Sequence, residues 1–214
     1  MPAERTDAMA GGRSAGTAEP RGEPRRPAIF MDRDGTVNAE VGYLNHVERL
    51  QLLPRTAAAI RLINQSPFLA VVVTNQAGVA RGYFREELIE RVHERLSRLL
   101  AEQGARLDGI YYCPHHPTVG DPPYRQECDC RKPRPGLVLA AARDLNIDVP
   151  RSLMIGDKHS DVRFARALGM PAILVETGYG RGEIEQWSAD WGDRPDHVAT
   201  DLLSAVEWIL GRQG

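Results

Sequence analysis

Residues 29–36 read Ile29-Phe30-Met31-Asp32-Arg33-Asp34-Gly35-Thr36, an apolar run set directly against two carboxylates one residue apart. In a continuing strand, alternation would send Asp32 and Asp34 to the same face, where like charges repel. One reading is a plain turn, since Asp-Gly is turn chemistry. The other is a cation that gathers both acids.

Outward from this stretch, apolar runs alternate with amphipathic ones. AIFM (28–31), LAVVVTN (69–75), GIYYC (109–113), SLMIGD (152–157) and AILVE (172–176) read as buried strands. Between and after them, Thr56–Asn64, Glu86–Gln103, Gly136–Leu145, Asp161–Leu168 and Leu202–Leu210 carry helical spacing. In the second of these, Leu88, Val92, Leu96 and Leu99 define the apolar stripe, which puts His93 on the exposed face. Near-continuous Val/Ile/Leu strands alternating with helices indicate an α/β fold, a parallel sheet covered by helices on both faces. Ligands of such sheets gather beyond the carboxyl ends of the strands. Three strands here end in polar signals: Asp32-Arg33-Asp34, Thr74-Asn75-Gln76 and Gly156-Asp157-Lys158.

The 214 residues suffice for one sizeable core, expected over 27–214. Residues 1–26 hold Met1 and Met9 as their only large apolar side chains and are expected to form a disordered tail. A net charge of −2 argues against nucleic acid or an anionic membrane surface as partner. No apolar run approaches the ~20 residues that span a bilayer, and the first 26 lack a signal-type apolar segment. A cytoplasmic monomer is expected. Residues 178–199, with Trp187 and Trp191, read as packed surface. The stretch between Asp34 and Thr56 is too short for a separate cap domain, so the site should be fairly open.

Asp32, Asp34 and the distant Asp157 offer the hard oxygens that Mg²⁺ accepts, with water and a substrate phosphate completing its shell. Thr74, Lys132 and Arg131 offer a hydroxyl and positive charge to a phosphoryl group. Asp32 could then act as nucleophile through an aspartyl-phosphate. Asp34 could serve as general acid and later as base, the acid role asking for a raised pKa.

All three cysteines fall within 18 residues, as Cys113-x-His115 and Cys128-x-Cys130. Three thiolates and one imidazole match a closed structural zinc site, with no open position for catalysis. His116 is the rival to His115, which pairs C-x-H symmetrically with C-x-C. Arg131-Lys132-Pro133 follows the last ligand directly, so such a metal would hold two cations in place.

In order, DRDGT, the strand ending in Thr74, the Lys132 region and GDKHSD resemble the four motifs of the haloacid dehalogenase superfamily of phosphatases. Asp-x-Asp-Gly also occurs in calcium loops, but those carry a closing Glu and helical flanks. The resemblance implies a Rossmann-like fold, Asp32 as nucleophile, Asp34 as acid/base, and Thr74 and Lys132 as phosphoryl stabilisers. It also implies Asp32, the Asp34 carbonyl and Asp157 as Mg²⁺ ligands. CPHHP…CDCRKPRPG, with DRDGTVN, VGY, VVVTNQAGVARG and GDK, closely resembles the family of D-glycero-D-manno-heptose 1,7-bisphosphate 7-phosphatases. That likeness implies substrate contacts from Glu40, Val41, Gly42 and Tyr43, from Thr74, Asn75, Gln76 and Ala77, and from Arg131 and Lys158. The zinc ligands map to Cys113, His115, Cys128 and Cys130. The implied reaction removes the 7-phosphate of a sugar bisphosphate and leaves a 1-phosphate for nucleotide activation.

Histidinol-phosphate phosphatases share the four motifs and the zinc loop. Arg81, in GVARG, resembles the heptose group and suits a second phosphate, with a solvated surface charge as its plainer reading. A non-catalytic zinc module would be expected to carry a basic excess. A phosphate-holding regulatory domain would have no use for Asp34.

Overall fold

The computed structural model describes residues 24–212. The expected tail, residues 1–26, lies outside the described residues as far as Glu23. Arg26 is already tied in: its backbone bridges to Ile147 and its guanidinium donates to the Pro67 and Phe68 carbonyls.

Six parallel strands run in the order β3-β2-β1-β4-β5-β6, with β1 Ala28–Met31, β2 Leu69–Asn75, β3 Gly109–Cys113, β4 Leu153–Gly156, β5 Ala172–Val175 and β6 His197–Ala199. Parallel neighbours need crossovers. They are supplied by α1 Thr56–Asn64, α2 Glu87–Ala101, α3 Gly136–Asp144, α4 His159–Ala167 and α5 Gly180–Trp187, and α6 Leu202–Gly211 closes the chain. Strand alternation builds two cores. Ile29, Met31, Ala70, Val72, Ile155 and Ile173 face one core, shared with α1, α2 and α6. Ala28, Phe30, Val71, Val73, Met154 and Leu174 face the other, shared with α3 and α4. Both faces of β1, β2, β4 and β5 are buried, which is why they read as unbroken apolar runs.

The 178–199 stretch supplies α5 and β6, neither of which the sequence announced. The helix is short, and β6 is a three-residue edge strand whose pattern is too brief for periodicity to register. Trp191 stacks on His159 with ring centroids 4.5 Å apart, which fastens the stretch to the start of α4. No helix among the described residues is long and apolar enough to cross a membrane.

One expectation fails in α2. Its fully buried residues include Ile89, Val92, Leu96 and Leu100, whereas Leu88 and Leu99 are only partly covered. The buried face is therefore centred about one residue further round than the leucine stripe suggests. That rotation carries His93 inward, where it is buried.

The strand order reverses direction between β1 and β4, and the crevice at such a switch point is where open α/β sheets bind ligands. Asp32 follows β1 there and Asp157 follows β4.

Candidate active site

β1 stops at Met31, and the Asp32 N–H makes a last sheet bond to the Ile155 carbonyl. The chain then folds into a tight loop in which Val37 and Asn38 both donate to the Arg33 carbonyl. Asp32 and Asp34 thereby leave the alternation that would have placed them side by side. Gly35 makes the loop possible at φ +86°, and a Cβ there would collide with Asp157 Oδ2.

The two acids have opposite surroundings. Asp32 Oδ1 accepts from Lys132 Nζ at 2.8 Å, and the same ammonium donates to Asp161 Oδ1 at 2.7 Å. Burial works against that charge, but Asp161 and Asp32 outweigh it and hold Lys132 above the usual lysine range. Asp34 meets only donors: Arg33 Nη2 at 2.8 Å from Oδ2, Asn38 Nδ2 at 2.9 Å from Oδ1 and Gln76 Nε2 at 2.8 Å from Oδ2. Burial alone would raise its pKa, yet the Arg33 cation and these hydrogen bonds hold it below the ordinary 3.8. An acid with a raised pKa was the expectation. The free protein instead holds Asp34 ionised, because Arg33, the residue between the two acids, turns inward onto it.

Asp157 is fully buried. Its Oδ2 accepts from the Tyr179 N–H, and its Oδ1 has no partner. Oxygens of Asp32, Asp157 and Asp161 lie within 4.8 Å of one another. Burial, and then the charges of Asp32 and Asp161, push Asp157 up to about 8. A crowded buried set of hard oxygens with one orphan acceptor fits a divalent cation such as Mg²⁺.

Asp157 also fixes a pH dependence. In the metal-free protein the folded chain keeps this proton to about pH 8, whereas the unfolded chain loses it near 3.8. The folded form binds more protons throughout that window, so Asp157 makes stability fall as pH rises through it. A cation must displace the proton, so apparent Mg²⁺ affinity should climb by up to ~10-fold per pH unit below about 8. Thermal unfolding with and without Mg²⁺ should show a larger stabilisation at pH 8.5 than at pH 6. Equal shifts at the two pH values would contradict it.

Thr74, one residue before the end of β2, is fully buried and accepts from Gln76 Nε2 at 2.9 Å. Lys158 reaches Glu40 Oε2 at 3.3 Å and lies over the Tyr179 ring. These groups border one cleft of about 420 Å³, lined also by Gly42, Tyr43, Asn75, Ala77 and Arg131. Most of the sequence-predicted residues therefore meet in one place. Val41 does not line the cleft, its carbonyl instead accepting from Arg49 Nη2. Nor does Arg81, which stands 3.4 Å from His116 Nε2. Asp161 was missed as a site residue, although its place four residues after Asp157, at the start of α4, was a usable signal. Arg33 and His93 gave none, since an inward-facing arginine cannot be told from a surface one by pattern.

Next to the cleft, ligand atoms of Cys113, His115, Cys128 and Cys130 lie within 4.8 Å of one another. Sγ of Cys113 is 3.6 Å from that of Cys128 and 3.1 Å from that of Cys130, and His115 Nδ1 is 3.3 Å from Cys130 Sγ. The edges of a tetrahedral thiolate site with ~2.3 Å bonds are about 3.7 Å, so the cluster fits zinc with modest expansion. His115, and not His116, stands with the cysteines; His116 Nδ1 accepts from the Thr118 and Val119 N–H groups. Burial, followed by the neighbouring Cys130 thiol, pushes the Cys113 thiol up. Arg131 and Lys132 follow the cluster. Arg131 donates to the His115 carbonyl, and the Lys132 N–H donates to Asn75 Oδ1.

Residues 129–205 match the HAD-hydrolase-like family. The D-glycero-D-manno-heptose-1,7-bisphosphate 7-phosphatase of Thermosynechococcus vestitus is 43% identical over 86% of this chain and 95% of its own. The corresponding β-anomer phosphatase of Escherichia coli K12 is 43% identical over 77% of this chain and 87% of its own. Among solved structures, the D,D-heptose 1,7-bisphosphate phosphatase of B. bronchiseptica, complexed with magnesium and phosphate, superposes with a TM-score of 0.75. It is 32% identical and covers 87% of this chain and 99% of its own.

Proposed function

The chain belongs to the heptose bisphosphate phosphatase family of haloacid dehalogenase-like hydrolases, and from that premise we propose that it removes the 7-phosphate of D-glycero-D-manno-heptose 1,7-bisphosphate. The observation that carries this reading is the meeting of Asp32, Thr74, Lys132 and Arg131 on one cleft at the sheet's switch point.

The free Asp32 oxygen attacks phosphorus as the bond to the sugar oxygen breaks, and Asp34 delivers a proton to that leaving oxygen. Lys132, held between Asp32 and Asp161, and Thr74 steady the transferred phosphoryl group. Asp34 then takes a proton from water, which attacks the aspartyl-phosphate and frees inorganic phosphate. The free protein already holds Asp34 ionised for this second half. The proton for the first half must arrive with the substrate, whose phosphate ester has a second pKa near ~6. Mg²⁺ on Asp32, Asp157 and the Asp34 carbonyl would supply positive charge that neutralises the carboxylates and the phosphoryl oxygens.

We assign the distal phosphate to Arg131, with His116 of the zinc-binding loop and Arg81 of the loop after β2 behind it. Glu40, Gly42 and Tyr43 would then meet the sugar from the opposite wall, with Asn75, Gln76, Ala77 and Lys158 completing the lining. The product, a sugar 1-phosphate, suits nucleotide activation. The test compares phosphate release from both heptose bisphosphate anomers, fructose 1,6-bisphosphate and histidinol phosphate. A heptose bisphosphate should lead by at least ~10-fold in kcat/KM, the worth of one well-made contact. Histidinol phosphate in the lead would overturn the substrate and leave the chemistry standing.

A further inference from the structure

Arg33 is 1% exposed, and Nε and Nη2 make three contacts to the Asp34 carboxylate and one to Gln76. Nε and Nη2 fork onto the Asp34 carboxylate at 3.2 and 2.8 Å, and Nη2 also donates to Gln76 Oε1 at 3.0 Å. That leaves Nη1, on the far side of the guanidinium, which lies 3.2 Å from His93 Nε2 on α2. An arginine can only donate, so His93 Nε2 must be the acceptor and the ring's proton must sit on Nδ1. His93 therefore closes a buried guanidinium whose other edge grips the proposed acid/base.

We propose that His93 is a positioning residue for catalysis: its neutral imidazole fixes the rotation of Arg33 and, through it, the direction in which Asp34 presents its carboxylate. This inference rests on the reading of Asp34 as acid/base. The planar fork of arginine makes the coupling stiff, because the nitrogens that hold Asp34 and the one held by His93 share one rigid plane. A buried charged donor without an acceptor is costly. Without His93, Arg33 would turn towards another acceptor and take Asp34 with it. Two observations keep the imidazole neutral and in place. Burial, and then the Arg33 charge, push its pKa down to about 3. Its ring meets Tyr112 edge-on at 5.6 Å, and Tyr112 is itself tied by its hydroxyl to Glu86 at the start of α2. The α2 helix, which contributes nothing to the cleft lining, thereby acquires a part in the chemistry.

The test uses His93→Leu and His93→Gln in the full chain, assayed on the heptose bisphosphate. Misaiming a catalytic group by an ångström costs ~100-fold, so His93→Leu should lower kcat by ~10- to 100-fold while KM stays within about twofold. Gln restores an acceptor and should recover kcat to within a few-fold. A purely structural role would shift the unfolding temperature of both variants and leave kcat alone. Nitrogen NMR of wild-type His93 should show a neutral ring protonated on Nδ1 at pH 7, a readout that needs no variant to fold. Wild-type kcat in His93→Leu, a Gln variant as slow as the Leu variant, or a ring protonated on Nε2 would each overturn the inference. Asp34→Asn separates it from the reading beneath: if that variant keeps turning over, the acid/base assignment falls. If it is dead while His93→Leu is fully active, only the role of His93 falls.

Discussion

Asp32→Asn should cut phosphate release by about 10⁴-fold or more, because it deletes the one atom that bonds to phosphorus in the proposed mechanism. The substitution is nearly isosteric, and its carbonyl oxygen can still accept from Lys132 Nζ, which keeps Asp161 as its second partner. No buried charge is left unpaired, so the unfolding temperature should change little and the loss should fall on kcat. Removing one carboxylate also relieves the crowding around Asp157, whose raised pKa owes part of its shift to Asp32. Stability of the metal-free variant should therefore match or exceed that of the wild type at pH 7 to 8. Rapid-quench detection of a phosphorylated chain in the wild type, absent from Asp32→Asn, is the direct measurement. Undiminished Mg²⁺-dependent turnover in the variant would end the covalent mechanism.

Loss of zinc should be costly as well. The purified protein should carry about one zinc per chain, four protein ligands making one closed site. Cys113→Ser or a strong chelator should release it and lower kcat/KM by more than ~10-fold, for a reason that is mechanical. Lys132 and Arg131 follow Cys130, the last residue of the cluster, directly, and the loop reaches them through few apolar contacts of its own. Some anchoring is independent of metal: Glu86 accepts from both Tyr112 and Tyr124, and Asn75 brackets Lys132 with two hydrogen bonds. The sheet should accordingly survive zinc removal, with far-UV dichroism retained, while the loop becomes sensitive to protease. Binding must strip protons from thiols whose burial keeps them protonated, so zinc uptake should release protons and weaken as pH falls. Metal-replete protein that contains no zinc, or full activity after its removal, would refute the site.

Much of this was legible because the residues concerned obey one-dimensional rules. Strands buried on both faces are written as unbroken Val, Ile and Leu, so five strands and their order of alternation with helices could be read directly. Polar residues at three strand ends marked the cleft. The paired C-x-H and C-x-C spacing marked the four-residue cluster that could hold a metal, since residues close in sequence are close in space.

What the chain of letters could not contain is which way a side chain turns when either direction is chemically reasonable. Arg33 sits between two acids and could have faced water; it lies wholly inside and sets Asp34 below its ordinary pKa. The leucine pattern of α2 set His93 on the exposed face, and a shift of one residue in the helix's buried stripe turned it inward. Arg81 had the charge for a phosphate and the neighbours of a substrate loop, yet it stands by His116, off the cleft lining. The sequence by itself determined the fold class, the motif acids and the cysteine and histidine cluster that could hold zinc, because local pattern and composition encode burial and spacing. Only the tertiary structure decided orientation, pairing and protonation, because those depend on groups brought together from far along the chain, as Arg81 and His116 are from 35 residues apart and Arg33 and His93 from 60.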